Sequence, residues 1–184
     1  MVALYYAVRD GFRYSPYGVA ERPEEFYASS VLQRPASRGA HCIDKANVLA
    51  ACARAVGVHS RLHFANVRNH IGTDALEKQL GTDLLVFHGY VELFIEGRWV
   101  AATPAFNRGL CEKLGVAPLE FDGVHDSIFQ PFDPEGARFM EYVHDYGSFD
   151  DLPYDLMLSQ WRTYYPTVAK TGRWPDPPSR TKGS

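Results

Sequence analysis

Residues 84–104, LLVFHGYVELFIEGRWVAATP, constrain the fold more tightly than any other stretch of the chain. Val91, Leu93 and Ile95 alternate with His88, Tyr90, Glu92 and Phe94, the period-two pattern of a strand with one face toward a core. Glu96 and Gly97 then read as a hairpin turn, and Arg98 to Thr103 return as a second strand. The pattern predicts an antiparallel sheet that carries His88.

The best helical stretch supplies the partner for that sheet. In RGAHCIDKANVLAACARAVG, residues 38–57, Ala46, Leu49, Ala50, Ala53 and Val56 recur at helical spacing, and Gly57 is placed to end the run. A helix from about Cys42 to Val56 is therefore expected to pack on strands at 86–95 and 98–103. Its small face of Ala46, Ala50 and Ala53 allows close approach, giving an α+β domain. Cys42 sits one turn before Ala46, on the same face. A helix amino terminus favours a thiolate, because unpaired N–H groups and the macrodipole place about half a positive charge there. Those N–H groups can also stabilise the oxyanion formed when a thiolate attacks a carbonyl. What Cys42 lacks locally is a base, and a histidine on a separate strand would supply one. His88 has that position.

Bulk properties narrow the alternatives. A chain of 184 residues fits one domain and should bury roughly 70% of its unfolded surface. With 46% hydrophobic, 14% aromatic and 22% charged residues, it has the balance of a folded protein rather than a disordered one. A net charge of −3 with interspersed signs gives no basic stripe for a phosphate backbone, so nucleic acid is not expected as a partner. No segment has the roughly 18 apolar residues of a membrane span, and the start, MVALYYAVRDGFRYSPYG, lacks a basic stretch before an apolar one. A cytoplasmic location is expected. Cys42, Cys52 and Cys111 are an odd number at unmatched spacings, which suits a reducing compartment. No C-x-x-C pair occurs, and neither a metal nor another cofactor is expected. Cys52 and Cys111 read as packing residues. His41, His59, His63, His70, His125 and His144 read as solvated or hydrogen-bonded.

The remaining elements follow from local pattern. A helix is expected over 2–9, a strand in HSRLHFANV at 59–67, and a short helix in TDALEKQLG, where Asp74 and Glu77 have capping-box spacing. In DDLPYDLMLSQWRTYYP a helix should bury Tyr154, Met157, Leu158, Trp161 and Tyr165 on one face, with Asp151 as cap and Pro153 in the first turn. One domain is read over 1–166, with 108–166 as an elaboration and 167–184 as a Pro-rich, flexible tail.

These residues resemble a known family. GAHCIDKANVLAACARAVGVHSRLHF looks like the cysteine segment of the transglutaminase-like superfamily, and HGYVELFIEGRWVAATP looks like its histidine hairpin. The likeness covers roughly residues 2–104. It implies a papain-like architecture and a Cys-His-Asp triad, with Cys42 as nucleophile and His88 as base, and it implies hydrolysis, since bacterial members are often hydrolases. The chain departs from the family at the third position, where Thr103-Pro104 stands for the usual Asp-Pro. A threonine hydroxyl can orient an imidazole but cannot neutralise its charged form. Asn107, or a carboxylate from EFDGVHD with Asp122, His125 and Asp126 at the cleft rim, are the alternatives for that role. Asn107 also reads as a helix cap for RGLCEKLG. The expected function is a thiol-dependent hydrolase or acyl transferase acting on a peptide, protein or small amide through an acyl-enzyme at Cys42. The alternative is a non-catalytic module that binds a partner through the same cleft.

Overall fold

The computed structural model describes residues 1–70, 74–129 and 139–176. It is a mixed α/β architecture. In chain order it has helices α1 (Val2–Gly11), α2 (Ala28–Leu32) and α3 (Cys42–Ala55), strand β1 (Ser60–Asn69) and helix α4 (Asp74–Leu80). Strands β2 (Leu84–Ile95) and β3 (Arg98–Ala102) follow, then helix α5 (Arg108–Leu114), strand β4 (Met140–Phe149), and helices α6 (Tyr154–Tyr164) and α7 (Pro166–Thr171). The strands form one antiparallel sheet in the order β3-β2-β1-β4. The expected hairpin turn is present: Glu96 and Gly97 both have positive φ, +50° and +84°, as a type I′ connection requires.

Helix α3 lies on β2 and β1 and buries Ala46, Leu49, Ala50 and Ala53. It ends as its glycine demands. Gly57 takes φ +80°, its amide donates to Arg54 O at 3.0 Å, and the Val58 amide reaches back to Ala53 O at 2.9 Å, the two bonds of a Schellman closure. On β2, Val91 and Leu93 are buried while Tyr90, Glu92 and Phe94 are not, as the alternation read from the sequence expects. Ile95, however, is only half-buried, and His88, read on the face of Tyr90, is buried within a run from Val86 to Gly89.

Two boundaries differ from expectation. Helix α6 starts at Tyr154 with Pro153 at the cap position, so Asp151 does not cap it. Ordered structure also continues past residue 166: α7 follows, and Val168 and Trp174 are buried against the core. Long-range aromatic packing holds this segment, which a polar, Pro-rich composition does not reveal. Residues 177–184 of the expected tail, and Thr73 with the Asp74 side chain of the expected cap, lie outside the described residues. Among the described residues, no helix is long and apolar enough to cross a membrane.

Candidate functional site

Cys42 is the first residue of α3, and three features hold that helix start in place. Asp44 accepts the His41 amide at 2.9 Å through Oδ2. The same oxygen binds Arg34 at 2.7 Å in a pair whose side chains are 9% and 2% exposed. Gly89 of β2 lets the helix approach the sheet: a Cβ there would lie 3.0 Å from Phe64 Cε1 and 3.4 Å from Ile43 Cγ1. This close seat brings the Gly89 amide toward the thiol, where it favours the thiolate together with the amides of Ile43 and Cys42.

His88 is placed by an irregularity in β2. Pairing with β1 runs regularly to Ala65 opposite His88, then shifts so that Val67 faces Leu85. Within this bulge Phe87 takes φ +61°, an unusual conformation for a bulky residue. The buried Asn66 stabilises it by accepting the Phe87 amide at 2.9 Å, and the Phe87 ring stacks on Phe64 at 4.5 Å. Val86, just before the bulge, is held by side chains from the end of the chain. Its amide donates to the Tyr165 hydroxyl at 2.6 Å, and its carbonyl accepts from Trp161 Nε1 at 3.1 Å. The bulge therefore sits between two rigid supports, which is where a strand re-aims a side chain. His88 is buried beside Phe129, with ring centroids 5.1 Å apart.

Cys42 and His88 line one cavity with Tyr14, Pro16, His41 and Trp174. It is small, about 10 Å³, room for roughly one water molecule. Burial dominates the electrostatics. It pushes the Cys42 thiol from 9.0 up to about 12, against the pull of the neighbouring amides. It pushes His88 down to about 3, helped by His41, and His41 down to about 3, helped by Arg34. In this closed arrangement both partners are neutral. Among the described residues neither His88 nitrogen has a hydrogen-bond partner, so the expected Cys42–His88 bond is not formed here.

His41 is the functional-site neighbour that sequence reasoning passed over. Its Nδ1 and Nε2 lie 3.4 and 3.7 Å from Cys42 Sγ. A sulfur nearly equidistant from both nitrogens is not aligned with either lone pair, so His41 covers the thiol rather than drawing its proton. The ring is sandwiched by aromatics, with Tyr14 stacked at 6.2 Å and Trp174 edge-on at 5.7 Å. The His-Cys order in the sequence was the signal available.

The third position remains apart from the pair. Thr103 is buried, and its hydroxyl neighbours the Tyr142 phenol without forming a hydrogen bond to it or to His88. Asn107 stands at the amino end of α5 but its side chain does not cap it. Its Oδ1 accepts the Tyr14 amide at 2.9 Å instead. In the EFDGVHD segment, Asp122 holds the exposed His125 at 2.7 Å, and Asp126 accepts the Ala101 amide at 2.8 Å. None of the three lines the Cys42 cavity. Among the described residues, no group of three or more His, Cys, Asp or Glu is arranged to hold a metal ion.

Residues 1–104 match the family model described as the transglutaminase-like superfamily, more than half of the chain. No curated protein and no solved structure matches it.

Proposed function

The chain belongs to the transglutaminase-like superfamily, and from that membership we propose a thiol-dependent acyl chemistry on an amide, with Cys42 as nucleophile and His88 as general base. The observation that carries the reading is the shared cavity: Cys42 at the start of α3 and His88 beside the β2 bulge face the same small space. In this reading the core is papain-like, and the cavity is the inner end of a cleft. His88 takes the thiol proton, and the thiolate attacks the amide carbonyl. The amides at the start of α3 stabilise the oxyanion. The imidazolium then protonates the departing amine, leaving a thioester on Cys42 that water or a second amine resolves. Thr103 is the orienting residue in this proposal, supported by a buried hydroxyl that has no hydrogen-bond partner among the described residues.

A specific observation favours the second reading, a non-catalytic binding module. Among the described residues no carboxylate lines the cavity, and burial, helped by His41 at His88 and by the Asp44 charge at Cys42, holds the pair in its neutral form. The two readings separate in the pH profile of Cys42 alkylation by iodoacetamide, measured in the parent and in His88→Ala. Catalysis predicts that His88→Ala raises the apparent thiol value and slows alkylation near neutral pH. Identical profiles would leave the binding module as the better account.

A further inference from the structure

The cavity beside Cys42 is sealed by the end of the described chain. Trp174 lies past α7, outside the family-matched residues, yet it is only 8% exposed and lines the cavity itself. Its ring packs 4.5 Å from Trp161, 5.2 Å from Tyr165 and 5.7 Å from His41, and its Nε1 donates to Pro16 O at 2.7 Å.

The two tryptophans at this place are held differently. Trp161 sits within an eleven-residue helix and hydrogen-bonds to β2, so it is part of the wall. Trp174 follows a six-residue helix that ends at Gly172 with φ +68°. Among the described residues, Gly172 and Arg173 are bonded only to the preceding helix, through Val168 O at 2.8 Å and the Thr171 hydroxyl at 3.1 Å. The main-chain ties of the segment to the rest of the described fold are long ones, Gly18 amide to Pro175 O at 3.4 Å and Gln79 Nε2 to Asp176 O at 3.3 Å. A deeply inserted aromatic anchor on a lightly tied segment is built to leave as a unit. No amide substrate reaches Cys42 while it stays, because the remaining space is about 10 Å³.

We propose that residues 172–176 are an intramolecular plug over Cys42, and that Trp174 occupies the subsite of a flat, apolar group of the substrate. Departure of the indole opens a slot faced by Tyr14, His41, Trp161 and Tyr165, which fits an aromatic group next to the amide being attacked. The proposal rests on Cys42 being the reactive centre.

The test uses the full chain. Trp174→Ala should raise the rate of Cys42 alkylation by iodoacetamide about tenfold or more, and added indole should refill the slot and slow it again. Cys111, buried elsewhere, should stay unreactive. If Cys111 becomes reactive in Trp174→Ala, the fold has loosened and Trp174→Phe carries the test. That variant keeps a ring but loses the bond to Pro16, and it should react faster than the parent with Cys111 silent. Cys42 rates equal to the parent's in a folded variant would overturn the plug, and indole without effect would overturn the subsite. Adding His88→Ala to the opened chain separates this from the catalytic reading. Acceleration that survives His88→Ala unchanged supports the plug and refutes His88 as base. If Trp174→Ala brings no acceleration the plug has failed, and the comparison of parent with His88→Ala still decides the catalytic reading.

Discussion

Arg34→Met tests how the start of α3 is held, and its cost can be worked from the structure. The guanidinium is the charged partner of a nearly fully buried Asp44. Burial pushes the Asp44 carboxyl above its ordinary 3.8 even though Arg34 pulls the other way. Without Arg34 the carboxylate keeps the His41 amide as its donor, and breaking a buried pair from one side costs about 3–5 kcal/mol. Protonation sets a ceiling on that cost. Keeping a carboxyl neutral costs about 1.36 kcal/mol for each pH unit above its ordinary value. The electrostatic loss is therefore capped near 4.4 kcal/mol at pH 7 and near 1.6 kcal/mol at pH 5, counted from 3.8. The lost bond from Arg34 to Glu25 O adds about 1 kcal/mol at either pH. The sign follows from linkage: the folded variant has a raised carboxyl value, so it holds a proton that the unfolded chain releases. Its stability then falls as pH rises above 3.8. Urea unfolding followed by tryptophan fluorescence, variant against parent, should show a larger loss at pH 7 than at pH 5. Equal losses at the two values would refute the buried-charge argument.

Three further outcomes follow from the same geometry. Gly89→Ala should destabilise by about 1–3 kcal/mol, because its Cβ would press on Phe64 at 3.0 Å, and an unchanged thermal midpoint would show that the α3–β2 seat tolerates a methyl group. Lys45, fully buried, donates to Arg9 O, Phe12 O and Ala105 O at 2.7, 3.1 and 2.7 Å, and burial pushes it from 10.5 down to about 7. The unfolded chain then binds the proton more tightly, so the parent should gain about 2 kcal/mol relative to Lys45→Met between pH 7 and 9, and parallel stability curves would count against it. His63 is opposed by burial but raised on balance by Glu92 and Asp145; its contribution is present below 6.5 and fades as pH rises, so His63→Ala should cost more at pH 5.5 than at pH 8 by chemical unfolding.

The parts of the fold legible in the sequence are those set by local pattern. Alanine spacing and Gly57 defined α3, and strict alternation with Glu96-Gly97 defined the β2–β3 hairpin, because each depends on residues within a few positions of one another. Cys42 and His88 were legible for the same reason, as a helix start and a strand position. The bulge at Phe87 was not, since it depends on Asn66 from β1, on Trp161 from α6 and on Tyr165 just after it. His41 looked like one more polar loop residue until aromatic rings from distant segments closed around it. Trp174 stands in a Pro-rich stretch whose composition suggests a tail, while its burial comes from partners up to 158 positions away. Asn107 shows the reverse case: a cap by position, its side chain taken by Tyr14.

The most direct test of the central claim is to look for an acyl group on Cys42. The parent and Trp174→Ala chains, each with and without His88→Ala, are incubated with p-nitrophenyl acetate near neutral pH, quenched in acid and mapped by peptide mass spectrometry. The account predicts acetyl on the peptide containing Cys42, faster in Trp174→Ala, with the rate falling by about a hundredfold when His88 is removed, as expected for a lost general base. Acetylation that never appears on Cys42 in the opened chain, or that proceeds equally without His88, would contradict it.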